Sequence, residues 1–247
     1  MSVTTDRIAF MHIPKTAGVS VIDAFTDRLG AEACHTFSPT MTDEDFSGKR
    51  FLSGHVYIGD ITRNAFLFTF LRDPVTQLAS HLLWIDHYNM PEYEHETAGF
   101  PPSVREGIEA LRGKDLSSAR DLHQYLADVP ADSVLRIRNL QAEMMSFCRG
   151  KVEPVGDKML AEMAISNLDR LGFVGLTESL AGDMAALFWM LGLGAPPAMK
   201  RLNAALSTNK IDVSAPAVRR VLEAYVQADI RLYERVATMR GASMEEL

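Results

Sequence analysis

Residues 65–71 read Ala-Phe-Leu-Phe-Thr-Phe-Leu, with no charge and no alternation of polar and apolar side chains. A strand with one wet face alternates. A continuous apolar run of this length is covered on both faces, the condition of a central strand in a parallel sheet flanked by helices. The run stops at Arg72-Asp73-Pro74, and a proline near the first helical position starts a helix expected to reach about residue 85. Residues 7–13 form a second apolar strand, followed by a helix over about 18–29 with Val21, Ile22, Phe25 and Leu29 on one face.

Phe51-Leu52-Ser53 and residues 172–176 supply two more short strands. Helices are expected near residues 103–112, 118–128, 138–148, 157–169 and 179–191. A last one, over about 215–238, carries Val218, Val221, Leu222, Tyr225, Leu232 and Val236 at helical spacing. Residues 87–102, rich in Tyr, His, Glu and Pro, read as a long irregular loop. Strands alternating with helices predict an α/β fold: a central parallel sheet flanked by helices, with helical additions in the second half.

The 247 residues, 47% hydrophobic, suffice for one domain over 1–247, and no linker, repeat or low-complexity stretch divides them. A net charge of −7 argues against a general nucleic-acid binder, which needs a basic surface. No window reaches the roughly 18 apolar residues of a membrane span, and the N-terminus has no secretory pattern, so the expected location is cytoplasmic. Cys34 and Cys148 read as reduced structural cysteines, with neither zinc-site nor disulfide spacing.

Three segments carry chemistry. In the first, Phe10 to Ser20, a strand runs into Pro14, Lys15, Thr16, Ala17, Gly18, Val19 and Ser20 and then into a helix. That places a cation, two hydroxyls and backbone N–H groups at a helix N-terminus, an arrangement that binds phosphate or sulfate. The lysine precedes the glycine, so this is not a Walker A sequence. In the second, Arg72 ends the apolar run at the sheet edge where ligands bind. Ser80 follows in the next helix, and the arginine fork suits a phosphate. Asp73 reads as a helix cap or a partner that orients the arginine. In the third, Gly54-His55-Val56 puts a histidine after a short strand, positioned to act as a general base or to serve a structural role.

These residues resemble a known family. His12 to Ser20 looks like the 5′-phosphosulfate loop of Golgi-type carbohydrate sulfotransferases and their bacterial relatives. Leu71-Arg72-Asp73-Pro74-Val75 with Ser80 looks like their 3′-phosphate loop. Gly54-His55-Val56 resembles the segment bearing the catalytic histidine of the uronyl 2-O-sulfotransferase branch. Arg138-Asn139-Leu140-Gln141, residues 173–178 and Asp229 to Tyr233 resemble later parts of the family, so the likeness spans nearly the whole chain.

The resemblance implies a P-loop-like fold and 3′-phosphoadenosine 5′-phosphosulfate (PAPS) as donor. It implies transfer of a sulfuryl group to a hydroxyl, with no metal. By matching position, Lys15 would contact the 5′-phosphosulfate, Thr16, Ala17, Gly18, Val19 and Ser20 would wrap the 5′-phosphate, Arg72 and Ser80 would hold the 3′-phosphate, and His55 would take the acceptor's proton. Three positions depart from the pattern: Val19 replaces a hydroxyl residue, Gln77 an arginine, and Ser53 a second histidine of the uronyl branch.

The expected acceptor is a saccharide, a glycolipid headgroup or a small hydroxylated metabolite. Residues 87–130 are a candidate lid or acceptor wall, in which Tyr88, Tyr93 and Phe100 either stack on an acceptor or pack. His81, His87 and His95 have no metal-ligand spacing. One of Lys200, Arg201 and Asn203 is a candidate nucleotide contact. A P-loop-type nucleotide kinase and an inert nucleotide- or glycan-binding module are the alternatives.

Overall fold

The structure, a computed structural model, describes residues 7–36, 41–42, 44–61, 65–129, 135–198 and 209–245. Lys200, Arg201 and Asn203 lie outside the described residues. Five strands form one all-parallel sheet: β1 (Ile8–Met11), β2 (Cys34–Thr36), β3 (Phe51–Gly54), β4 (Phe66–Leu71) and β5 (Phe173–Leu176), in the order β2-β3-β1-β4-β5. The helices are α1 (Gly18–Leu29), α2 (Pro74–His87), α3 (Glu94–Ala98), α4 (Pro102–Glu109), α5 (Ala119–Asp128), α6 (Leu140–Met144), α7 (Asp157–Ser166), α8 (Leu180–Met190), α9 (Pro216–Glu223) and α10 (Gln227–Glu245). Among the described residues, no helix is long and apolar enough to cross a membrane.

The chain divides into two compact units, one drawn from residues 1–73, 141–202 and 231–247, the other from 74–140 and 203–230. The first contains the sheet. All six residues of β4 are buried. Phe68 and Phe70 join Phe10, Phe51, Phe25 of α1 and Phe188 of α8 in one apolar cluster. Phe25 stacks on Phe51 with ring centroids 4.4 Å apart, and Phe10 stacks on Phe68 at 4.8 Å. Each fully buried ring of this kind stabilises the fold by roughly 1.5–3 kcal/mol. Thr69, the one hydroxyl in the run, is satisfied by donating to Met11 O at 2.7 Å. In the same unit, Asp183 of α8 accepts from Leu176 N at 2.7 Å and pairs with Arg240 of α10.

The second unit has its own core. Val75, Leu78, Leu82 and Ile85 of α2 pack with Leu122 and Leu126 of α5 and with Val218 and Leu222 of α9.

Four local expectations are corrected. Cys34–Thr36 is a fifth strand that its half-exposed, three-residue length concealed. The expected loop over 87–102 contains a 3-10 turn at Pro91–Tyr93 and the helix α3. The helix expected over 138–148 is only α6. Asn139 just before it is in the left-handed region (φ 46°), and Ser146 beyond it donates its hydroxyl back to Ala142 O at 2.7 Å. The single last helix is two, α9 and α10. The buried Asn139 side chain accepts from Ala228 N at 2.9 Å and Asp229 N at 3.4 Å, capping a new helix start.

Candidate functional site

Within the first unit, β1 and β4 are neighbours whose chains leave in opposite directions. The strand after β1 lies on the β3 side, and the strand after β4 lies on the far side, at β5. Loops that part in this way leave a crevice beyond the carboxyl ends of their strands. His12 to Ala17 follows β1, and Arg72 and Asp73 follow β4. His55 follows β3, the other neighbour of β1.

The turn after β1 is unusual in its backbone. Lys15 (φ 68°) and Ala17 (φ 63°) are both left-handed, and Thr16 between them and Gly18 after them are not. Alternation of this kind points successive N–H groups into one concavity that favours an anion. Two non-glycine residues with positive φ within three positions mark a backbone held for a purpose. Ala17 occupies the N-cap of α1 and has no side chain with which to cap it. Among the described residues, no acceptor takes the N–H groups of Ala17, Gly18 or Val19. Helix-end donors left without an acceptor are what an anion satisfies.

The sequence reading gave two hydroxyls to the anion. Thr16 differs: it is wholly buried, and its Oγ1 donates to Ile13 O at 2.8 Å, bracing the turn. Ser20 is half-buried in the first turn of α1, and Val19 beside it is exposed. Gly18 has no room for a side chain. What fills the space is protein: a β-carbon there would overlap the imidazole of His12, with Nε2 the nearest atom.

Two half-buried cations meet at this turn. Arg72 Nη1 donates to Lys15 O at 3.2 Å. Burial pushes the Lys15 ammonium below its ordinary pKa, and the charge of Arg72 pushes it further. Among the described residues, no carboxylate pairs with Lys15. Arg72 is also lowered by burial, against an opposing pull from Glu178 and Asp73. Like charges brought together out of water call for an anion between them.

Arg72 is held by its backbone. Gln141 Oε1 accepts from Arg72 N at 3.0 Å, and Gln141 Nε2 donates to Arg72 O at 3.0 Å. Glu178 Oε1 accepts from Asp73 N at 2.8 Å. These supports leave the guanidinium to point from a fixed base.

His55 Nδ1 lies 2.8 Å from His12 O. A carbonyl only accepts, so Nδ1 carries the hydrogen and Nε2 carries the lone pair. Burial lowers the His55 pKa. The bond to His12 opposes the shift, and the nearby Arg149 adds to it. Arg149 also donates to His55 O through Nη2. The net result is a neutral imidazole with a basic Nε2. The His12 ring lies 4.4 Å from the His55 ring, centroid to centroid. Burial pushes His12 down to about 3, with His55 and Lys15 adding to the shift.

Ser80 lies in α2, in the second unit, and is half-buried. Gln77 on the same helix is buried. Tyr88 meets Phe100 edge-on at 5.0 Å and Tyr93 at 5.9 Å, and Tyr88 and Phe100 pack against the second unit's core. His81 Nε2 is bonded to Leu135 O at 2.8 Å, and His87 Nδ1 to Trp84 O. His95 is exposed. Among the described residues, no group of three His, Cys, Asp or Glu side chains could hold a metal ion. Cys34 and Cys148 are unbridged.

Lys15, Arg72 and His55 thus follow β1, β4 and β3, three adjacent strands, at the carboxyl edge of the sheet. The sequence assigned no site role to His12, Gln141, Glu178 or Arg149. His12 had a local signal, a histidine three residues before the lysine and six before the glycine. The others act from 69 to 105 positions away in the chain. No family model matches this chain, and a search of curated proteins found no match either.

Proposed function

We propose that this chain is a PAPS-dependent O-sulfotransferase acting on a hydroxylated, carbohydrate-like acceptor. The observation that carries this reading is the pair of half-buried cations, Lys15 and Arg72, joined at a turn whose N–H groups converge. The resemblance of the Lys15 turn, the Arg72 segment and the His55 segment to the sulfotransferase loops gives the anion its identity. The same resemblance makes the ligand a nucleotide with phosphate at both ends of its ribose, the second matched to Arg72. The P-loop-like character of the fold and a cytoplasmic setting belong to the same proposal.

When bound, the donor supplies a sulfuryl group on a phosphate anhydride. The acceptor oxygen bonds to sulfur as the S–O bond to phosphate breaks, and that bond's electron pair stays on the phosphate oxygen. Lys15 neutralises the charge left on this oxygen, and the N–H groups of Ala17, Gly18 and Val19 fix the phosphate. The main need of such a reaction is charge stabilisation and in-line placement. His55 Nε2 accepts the acceptor hydroxyl's proton, and its bond to His12 O holds the ring in the tautomer that can do so. A nucleotide kinase is less well supported, because the turn lacks a Lys-Ser/Thr pair after its glycines.

Equilibrium binding tests the reading. Adenosine 3′,5′-bisphosphate should bind tightly, and adenosine 5′-phosphate and ATP weakly. Equal affinity for all three would count against it.

A further inference from the structure

Gly18 and His55 both touch the same ring. The His12 imidazole lies over Gly18, where a side chain of any size would strike Nε2, and its other neighbour is the His55 ring at 4.4 Å. Phe10 stacks near it at 5.5 Å. The ring therefore stands between the anion turn and the candidate base. Neither of its nitrogens has a hydrogen-bond partner among the described residues. The residue is half-buried, and neither nitrogen is among the buried atoms that lack a partner, so the ring stays open to a ligand in the site.

A neutral imidazole always has one N–H to donate. With its pKa pushed down to about 3, His12 keeps that neutral state across the working range of pH. It does not compete with His55 for the acceptor's proton. Neutral histidines held this way serve as hydrogen-bond donors to developing negative charge.

We propose that His12 is a catalytic residue whose ring N–H donates to an oxygen of the sulfuryl group as it passes from the Lys15 turn to the acceptor at His55. The proposal rests on the sulfotransferase reading above. His12 neither gives up nor gains a proton in the step. The acceptor's proton goes to His55, the new bond is acceptor oxygen to sulfur, and the electron pair of the broken S–O bond remains on the 5′-phosphate.

The test uses His12→Phe, which keeps a ring against His55 and loses the donor, and His12→Asn, which keeps an N–H donor on a smaller frame. Two quantities are measured for each: the ratio of affinities for PAPS and adenosine 3′,5′-bisphosphate without acceptor, and kcat with acceptor. His12→Phe should bind the bisphosphate like the parent, lose about tenfold or more of its preference for the sulfated nucleotide and lose about 10²-fold in kcat. His12→Asn should recover part of both. Unchanged kcat and an unchanged affinity ratio in His12→Phe would overturn the role of His12 while leaving the sulfotransferase reading intact. A parent protein that binds neither nucleotide would overturn both. Should His12→Phe fail to fold, a His12→Asn protein with no N–H-dependent recovery over His12→Ala would overturn the proposal equally.

Discussion

The side-chain amide of Gln141 grips the backbone of Arg72 from both sides, its oxygen accepting from Arg72 N and its nitrogen donating to Arg72 O, each at 3.0 Å. Arg72 leaves the sheet at this point, so its N–H and C=O have no strand partner there, and a buried glutamine supplies both missing bonds. Gln141→Ala strips both at once. We expect a loss of about 2–3 kcal/mol in chemical denaturation and weaker binding of adenosine 3′,5′-bisphosphate, because the arginine loses its fixed base. A variant as stable and as tight as the parent would deny Gln141 this role.

Lys15 is held below its ordinary pKa by burial and by Arg72. The folded protein therefore disfavours the charged lysine until an anion arrives. Lys15→Met should be no less heat-stable than the parent in anion-poor buffer. Added sulfate should raise the parent's melting temperature and leave the variant's nearly unchanged. Equal stabilisation of both proteins would place the anion elsewhere.

His55 must be neutral to accept a proton, and burial holds its pKa below the ordinary 6.5. The acidic limb of kcat/KM against pH should fall at a pKa below 6.5, since the base form persists to lower pH than in a free histidine. His55→Ala should lose turnover and the limb with it, yet keep nucleotide affinity. Retained turnover would remove His55 from the reaction.

The half-buried His12 links stability to pH. The unfolded chain takes up a proton on this residue as pH falls through 6.5, and the folded chain resists until about 3. Between those values the unfolded state holds the extra proton, so stability falls with falling pH by about 1.4 kcal/mol per unit. Above 6.5 this contribution is flat. His12→Phe should flatten the slope, and denaturation midpoints measured from pH 7 to pH 4 would show it. An unchanged slope would mean that His12 titrates normally.

Gly18 has no room for a side chain because His12 occupies the space. Gly18→Ala should destabilise the protein by about 1–3 kcal/mol through overpacking. In Gly18→Ala with His12→Ala the clash is gone, so the two effects should not add. Simple additivity would show that the two residues do not meet.

The parts of this molecule legible from sequence are those with local causes. The apolar run over 65–71 announces a central strand, Pro74 announces the start of α2, and Lys15, Arg72 and His55 stand where strands end. The rest depends on distant partners. α10 begins afresh at Gln227 because Asn139 caps it, and nothing near residue 227 says so. The crowding at Gly18 is of this kind, since no local pattern says that a histidine six positions earlier folds back over it. The hydroxyl of Thr16 faces inward because Ile13 O lies within reach, which only the turn's backbone reveals.

The most direct test of the central claim is transfer of radiolabelled sulfate from PAPS to a panel of saccharides, glycolipids and small hydroxylated metabolites, with Lys15→Ala beside the parent protein. The account predicts labelled product from at least one acceptor class and a loss of about 10²–10³-fold in the variant. No product from any class, or transfer undiminished without Lys15, would contradict it.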